Sequence, residues 1–204
     1  MFETEDEGYE VLSGGNFHGQ YVAQAMDLLA VAITDLGSIS ERRLARLIDP
    51  SMSYGLPRNL GSGRRGVNTG FATVQCSLSA LVMENRTLAS PGSVDSIPGK
   101  GNAEDHVSNA TWCARKARTI VDNVEYIVAG ELLMAAQALD MVADEASGFP
   151  LGRGSAAALS AVRRVVDPVL EGDVWYANEM NRARDLLRSG EIVEAVEREI
   201  GALE

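Results

Sequence analysis

Basic residues are few in this sequence: 18 Lys and Arg stand against 29 Asp and Glu in 204 residues, for a formal charge of -11. Such a chain repels a phosphate backbone and offers no basic stripe for counterion release, which excludes nucleic acid as an expected partner. Cysteine is scarcer still. Cys76 and Cys113 lie far apart and show none of the close pairing of a zinc knuckle or redox motif, so both are expected to be buried, reduced thiols of a cytoplasmic protein. Histidine occurs only at His18 and His106, nothing else supplies the ligands of a zinc or iron site, and no metal is expected. The basic start and apolar core of a signal peptide are absent too, since Met1 to Glu10 carries five acidic residues and no basic one. No apolar stretch is expected to reach the roughly 20 residues of a membrane span before a charge interrupts it. Sustained period-two alternation is also missing, so essentially no sheet is expected.

What is present is helical spacing. Hydrophobic residues make up 46% of the chain, enough for one substantial core or a large piece of a bigger one. Val22, Met26, Leu29, Ile33 and Leu36 recur with the period of a helix that buries one narrow stripe. Gly37 is expected to close that helix, and Ser38 with Glu41 forms a capping-box pattern that opens a second one through Leu44 and Leu47, ending near Asp49-Pro50. Ser51 to Thr69 is rich in glycine and reads as an irregular loop. Helical spacing resumes at Phe71, Val74, Leu78, Leu81 and Val82 and stops before Ser90-Pro91; Ser90 to Asn102 is irregular again. Val107 to Ala143 contains no proline and reads as one long helix with Ile120, Val124, Ile127, Val128, Leu132, Ala135 and Leu139 on its apolar face. Glycines and Pro150 mark a break over 147–154, and shorter helices follow over Ala156 to Leu170 and Glu179 to Leu203. The expected fold is all-α, a long-helix bundle over 13–204 behind an acidic segment at 1–12. About 36 residues of helix span about 54 Å, longer than a compact globule of this size needs, which points to burial against other chains.

Chemistry enters through six short blocks in a fixed order: Ser13 to Gln20 (SGGNFHGQ), Gly37 to Arg43 (GSISERR), Tyr54 to Leu60 (YGLPRNL), Gly66 to Phe71 (GVNTGF), Ser93 to Pro98 (SVDSIP) and Asn102 to Ser108 (NAEDHVS). Together they resemble the carboxy-terminal part of the aromatic amino acid ammonia-lyases and aminomutases, with a histidine ammonia-lyase-like pattern. The resemblance implies elimination of ammonia from an aromatic amino acid by means of a 4-methylidene-imidazol-5-one (MIO), formed from an internal Ala-Ser-Gly. The β-proton is weakly acidic and ammonium a poor leaving group, so an electrophile, a base and a carboxylate clamp must act together. In the family these groups lie largely upstream of the first block. MIO is therefore expected in a partner chain, a complementary amino-terminal ammonia-lyase polypeptide, within a homo- or hetero-oligomer, tetramer-like, that takes an amino acid substrate. The start at Met1, close to a signature block, is expected to be genuine, with the division falling in the acidic segment before Ser13.

Ala146-Ser147-Gly148 is present but is followed by Phe149 rather than Asp and falls in the expected break after the long helix, so it is read as a surface turn. Position by position, Phe17 falls where the family sets an aromatic ring beside the electrophile; a Phe that only packs a core is the competing reading. Glu104 falls where histidine ammonia-lyases carry Glu and the phenylalanine and tyrosine enzymes usually Gln. A carboxylate there accepts from an imidazole or holds a proton, and a solvated glutamate at a helix start is the alternative. Asn16 and Gln20 complete the expected substrate-binding set. His18 and His106 are expected to be structural, and Asn68 to fix its loop by bonding its own backbone. Ala103 departs from the family, which usually has Gln or Asn there.

Overall fold

The computed structural model describes residues 2–3, 8–12, 14–64, 66–142 and 150–203. Ala146-Ser147-Gly148 and Ser13 lie outside the described residues. Six α-helices carry the described chain: α1 (Gln20–Leu47), α2 (Ala72–Leu88), α3 (Ala110–Met141), α4 (Arg153–Arg163), α5 (Tyr176–Ser189) and α6 (Glu191–Ile200). The expectation of essentially no sheet needs one small correction. Phe2–Glu3 (β1) and Tyr9–Glu10 (β2) pair as an antiparallel hairpin of two residues a side.

The axis of the bundle is α3, whose 32 residues extend about 48 Å at 1.5 Å per residue. Helices α1, α2, α4 and α5 all pack on it, and α6 packs on α4 and α5. Its buried set begins with Cys113, Lys116 and Ala117, runs through Ile120, Val124 and Ile127 as the spacing predicts, then shifts to Ala129, Gly130, Leu133, Met134, Ala136, Gln137 and Ala138, while Val128, Leu132, Ala135 and Leu139 of the expected face are half-buried. Gln137 is 1% exposed, and its amide exchanges two bonds of 2.9 Å with the backbone of Val169. This pins the extended stretch after α4. That helix ends at Arg163 rather than continuing to Leu170, and Pro168, which cannot donate to the ladder and disfavours helical backbone at Asp167, keeps it from resuming. The expected last helix is likewise two, α5 and α6, divided at Gly190, whose φ of 80° is the left-handed conformation that ends helices.

The largest departure from the sequence expectations is in α1. Gly37 does not close it; the helix runs unbroken through the supposed capping box. A Cβ at Gly37 would stand 2.8 Å from a methyl of Val124, so the glycine serves close approach to α3 rather than termination. Ser38 and Glu41 lie inside the helix and cap nothing. Ser40 donates to Glu131 of α3 at 2.6 Å, and buried Glu41 accepts from Gln75 and Ser79 of α2, each at 2.8 Å. Burial by itself would raise the Glu41 carboxyl, but Arg42, Ser79 and Gln75 outweigh it and hold the group below its ordinary range.

The buried stripe of α1 is also not the expected one. Ala23, Asp27, Ala30, Thr34, Gly37, Ser40, Glu41 and Leu44 face inward, whereas Val22, Leu29 and Leu36 are exposed together with Tyr21, Leu28, Val31 and Ile39. Periodicity found two faces one step apart, and the one lined with small side chains allows the helix axes to approach. This division also bears on hydropathy: Asp27 is the only charge from Gln20 to Thr34, and by length and composition α1 is the one helix among the described residues long and apolar enough to cross a membrane. Asp27 does interrupt that apolar stretch, as expected, and it is paired with Lys116 of α3. Of the cysteines, Cys113 is buried but Cys76 is exposed, since its position on α2 faces away from the other helices.

Replacing Gly37 by valine should lower the unfolding free energy by about 1–3 kcal/mol through overpacking against Val124. Urea unfolding measures it, and an unchanged or higher midpoint would remove the close-approach explanation.

Candidate active site

Helix α2 ends at Leu88, and the chain takes 21 residues to reach α3 at Ala110. That connection carries Glu104, and it is held at both ends. At its start, the carboxylate of Asp27 accepts the backbone N–H of Gly92 and of Ser93, each at 2.8 Å. The same carboxylate pairs with Lys116 at 2.5 Å, and the ammonium also donates to the carbonyl of Ser90. At the other end, Asn109 donates to the carbonyls of Gly92 (2.8 Å) and Asp95 (3.0 Å). Ser96 both accepts from the N–H of Val107 (2.7 Å) and donates to its carbonyl (3.0 Å). Between these ties, residues 97–106 form a protruding tip. Asn102 takes a φ of 52° there, the Glu104 N–H reaches the Pro98 carbonyl at 3.3 Å, and the Glu104 side chain is exposed. The solvated glutamate would have stood at a helix start, but α3 begins six residues later.

The first signature block lies against this connection. His18 Nδ1 accepts the N–H of Gln20 at 3.2 Å, which leaves Nε2 to carry the proton and donate to the carbonyl of His106 at 2.9 Å. The two imidazoles lie 5.2 Å apart. Gln20 donates to the carbonyl of Ser93 at 2.7 Å, and at Gly19 a Cβ would meet Ser108 Oγ at 2.8 Å. The chain therefore joins two blocks 88 residues apart in sequence. Phe17 adjoins His18, and Glu104 stands two residues before His106. Phe17 is 88% exposed and packs no core. Asn16, with φ of 65°, makes the turn that precedes it.

Of the expected site residues, Asn16, Phe17 and Glu104 present exposed side chains at this junction, and Gln20 is half-buried with its amide nitrogen used in holding Ser93. Asn68 does more than bond its own loop. It reaches the Arg64 carbonyl (3.3 Å) and accepts the N–H of Asp173 (3.1 Å), while the Asp173 carboxylate takes the amides of Thr69 and Gly70. Its contacts belong to the loop before α2 and not to the Phe17–Glu104 junction. A cavity of about 730 Å³ lies in that loop, beside Arg58, Arg64 and Asn68, and another of about 580 Å³ between α2, α3 and α5; neither touches Phe17 or Glu104. No group of three or more candidate metal ligands occurs among the described residues.

Sequence reasoning missed Asp27, Lys116, Ser96 and Asn109. A signal for Asp27 was available, as the lone charge in fifteen residues of apolar helix. Burial alone would raise its carboxyl, but Lys116 and Ser93 bring it down from an ordinary 3.8 to about 2. Burial and the neighbouring Asp27 carboxylate push the Cys113 thiol up, so it stays protonated beside the pair.

Residues 1–164 match the family model described as aromatic amino acid lyase. The chain belongs to that family. The histidine ammonia-lyase of Symbiobacterium thermophilum is 47% identical over 204 residues, which is 100% of this chain and 38% of that relative. A crystal structure of histidine ammonia-lyase from Trypanosoma cruzi matches with a TM-score of 0.85 at 40% identity, over 96% of this chain and 37% of that one. Tyrosine aminomutase from Streptomyces globisporus matches with 0.84 at 41% identity, over 95% and 36%. The lyase-family chain thus spans little more than a third of the length of these relatives. The helical fold and the histidine ammonia-lyase-like character expected from the six blocks both hold.

Because folding lowers the Asp27 pKa, its contribution to stability is present above about pH 4 and is lost as pH falls toward about 2. Asp27→Asn should therefore lower the urea midpoint at pH 6, and the gap to the unaltered chain should close between about pH 4 and 2. A gap that stays constant with pH would contradict the assignment.

Proposed function

We propose that this chain is the carboxy-terminal portion, or a subunit, of an MIO-dependent aromatic amino acid ammonia-lyase of histidine type, which eliminates ammonia to give an α,β-unsaturated acid. The carrying observation is the His18–His106 contact, which sets the Phe17 block against the connection that presents Glu104. Both side chains face solvent, outside the two larger cavities described above. That open face fits a group contributed from elsewhere, because nothing among the described residues closes over it. The Ala146-Ser147-Gly148 stretch is not used.

In this reading MIO, carried by the complementary amino-terminal polypeptide, supplies an electrophile that makes the amine a leaving group. Phe17 provides an apolar wall that excludes water, and the Glu104 carboxylate accepts from a substrate imidazole or holds its proton. Asn16 shapes the turn that aims Phe17, and Gln20 anchors that turn to Ser93. Ala103 brings no amide of its own to the substrate.

Assembly is part of the same proposal. The outer face of α1 exposes Tyr21, Leu28, Val31 and Ile39 in one run, an apolar surface that soluble proteins cover by association. A homo- or hetero-oligomer, tetramer-like and cytoplasmic, accounts for it. Similarity to a tyrosine aminomutase at 41% identity supports the second reading, an aminomutase subunit.

The chain alone should convert none of histidine, phenylalanine or tyrosine, whereas the chain co-expressed with a polypeptide bearing Ala-Ser-Gly-Asp should produce the unsaturated acid by ultraviolet absorbance. Conversion by the pure chain, or none with the partner, would refute the reading; the latter outcome leaves a non-catalytic helical scaffold. In the complex, Glu104→Gln should cut histidine turnover by more than about tenfold, roughly 1.4 kcal/mol of transition-state stabilisation, and affect tyrosine or phenylalanine less. Equal losses on all three would make Glu104 a loop-holding residue. Sedimentation should report a multimer, and a monodisperse monomer would count against association.

A further inference from the structure

Asp27 and Lys116 are 5% and 2% exposed and stand on different helices, α1 and α3. Removing two ions from water costs several kcal/mol each, and a packed apolar pair in their place is often no less stable. Two apolar side chains would fill the volume but leave Gly92 and Ser93 without acceptors and the Ser90 carbonyl without a donor. The pair thus does something directional that packing does not: it grips three backbone groups, the Ser90 carbonyl and the Gly92 and Ser93 N–H, where the connection leaves α2.

What that grip controls can be followed residue by residue. The Ser93 carbonyl then takes the Gln20 amide, which ties in the Phe17 turn. The Gly92 carbonyl takes Asn109, which ties in the start of α3. Ser96 and Val107, bonded to each other twice, close the base of the tip. Among the described residues Glu104 makes no side-chain bond, and apart from its N–H on the Pro98 carbonyl its place depends on the base of the tip.

We propose that the buried Asp27–Lys116 pair is a positioning device for the active site, fixing the base of the Glu104 tip and, through Gln20, the Phe17 turn in one mutual register. The proposal rests on the reading of Glu104 and Phe17 as substrate-facing groups. Neither Asp27 nor Lys116 touches substrate; each acts through the backbone it holds.

The test has two arms. In the chain itself, amide hydrogen exchange of Asp27→Asn and Lys116→Met should quicken at Gly92, Ser93 and Val107 by about tenfold or more beyond the change that lost overall stability brings to amides inside α3 from Ile120 to Met134. Uniform quickening, or none, would overturn the device, because a merely stabilising pair loosens the whole bundle. Asp27→Glu, which keeps the charge, should give the same local pattern more weakly and serves if the neutral variants fail to fold. In the assembled enzyme, Asp27→Asn should lower kcat/KM on histidine by about tenfold or more, and most of that loss should vanish in a Glu104→Gln background. Full additivity of the two losses would show that Asp27 does not act through Glu104. If Glu104→Gln alone left turnover intact, the substrate reading of Glu104 would fall, while the exchange arm would still judge the grip on the connection.

Discussion

The interaction on which the arrangement depends is the buried contact between one carboxylate on α1 and one ammonium on α3. Ions out of water must be bonded from several directions, and here the bonds are supplied by the backbone of residues 90–93. Helix–helix packing and loop geometry are thereby a single problem with a single solution. Without those amides the pair would be a liability in the core, and without the pair the connection would have no fixed departure from α2.

The same helix pair sorts the small and the large side chains of α1 to opposite faces. α1 approaches α3 through Ala23, Ala30 and Gly37, with a bond from Ser40 to Glu131, so the interior of this contact is small and polar. Its large apolar side chains are left on the outer face. At the candidate site, Phe17 and Glu104 stand exposed. The chain spans little more than a third of its relatives' length, and its bundle has a packed inner face and an exposed apolar outer face on α1.

Much of this was legible in the sequence, for reasons that differ by element. The extents of α2 and α3 follow from helical spacing bounded by glycine and proline, and the site blocks were readable from their order. Failures cluster where tertiary contact overrides a local signal. Gly37, Ser38 and Glu41 form a sound stop-and-start pattern, yet α3 needs Gly37 for proximity and α2 needs Glu41 as an acceptor. Val22, Leu29 and Leu36 have the period of a buried stripe but lie one step round from it. The His18–His106 and Asp27–Lys116 contacts join residues about ninety apart, and no local pattern announces which partner a lone histidine or lysine will find.

The most direct measurement of the central claim, that this chain supplies one wall of a lyase site completed by another polypeptide, is a structure of the assembled complex with an unreactive histidine analogue. The account predicts the Phe17 ring within about 4 Å of the analogue and the Glu104 carboxylate at hydrogen-bonding distance from its imidazole, about 2.7–3.2 Å. An analogue bound elsewhere, with the Phe17–Glu104 junction still facing solvent, would contradict it.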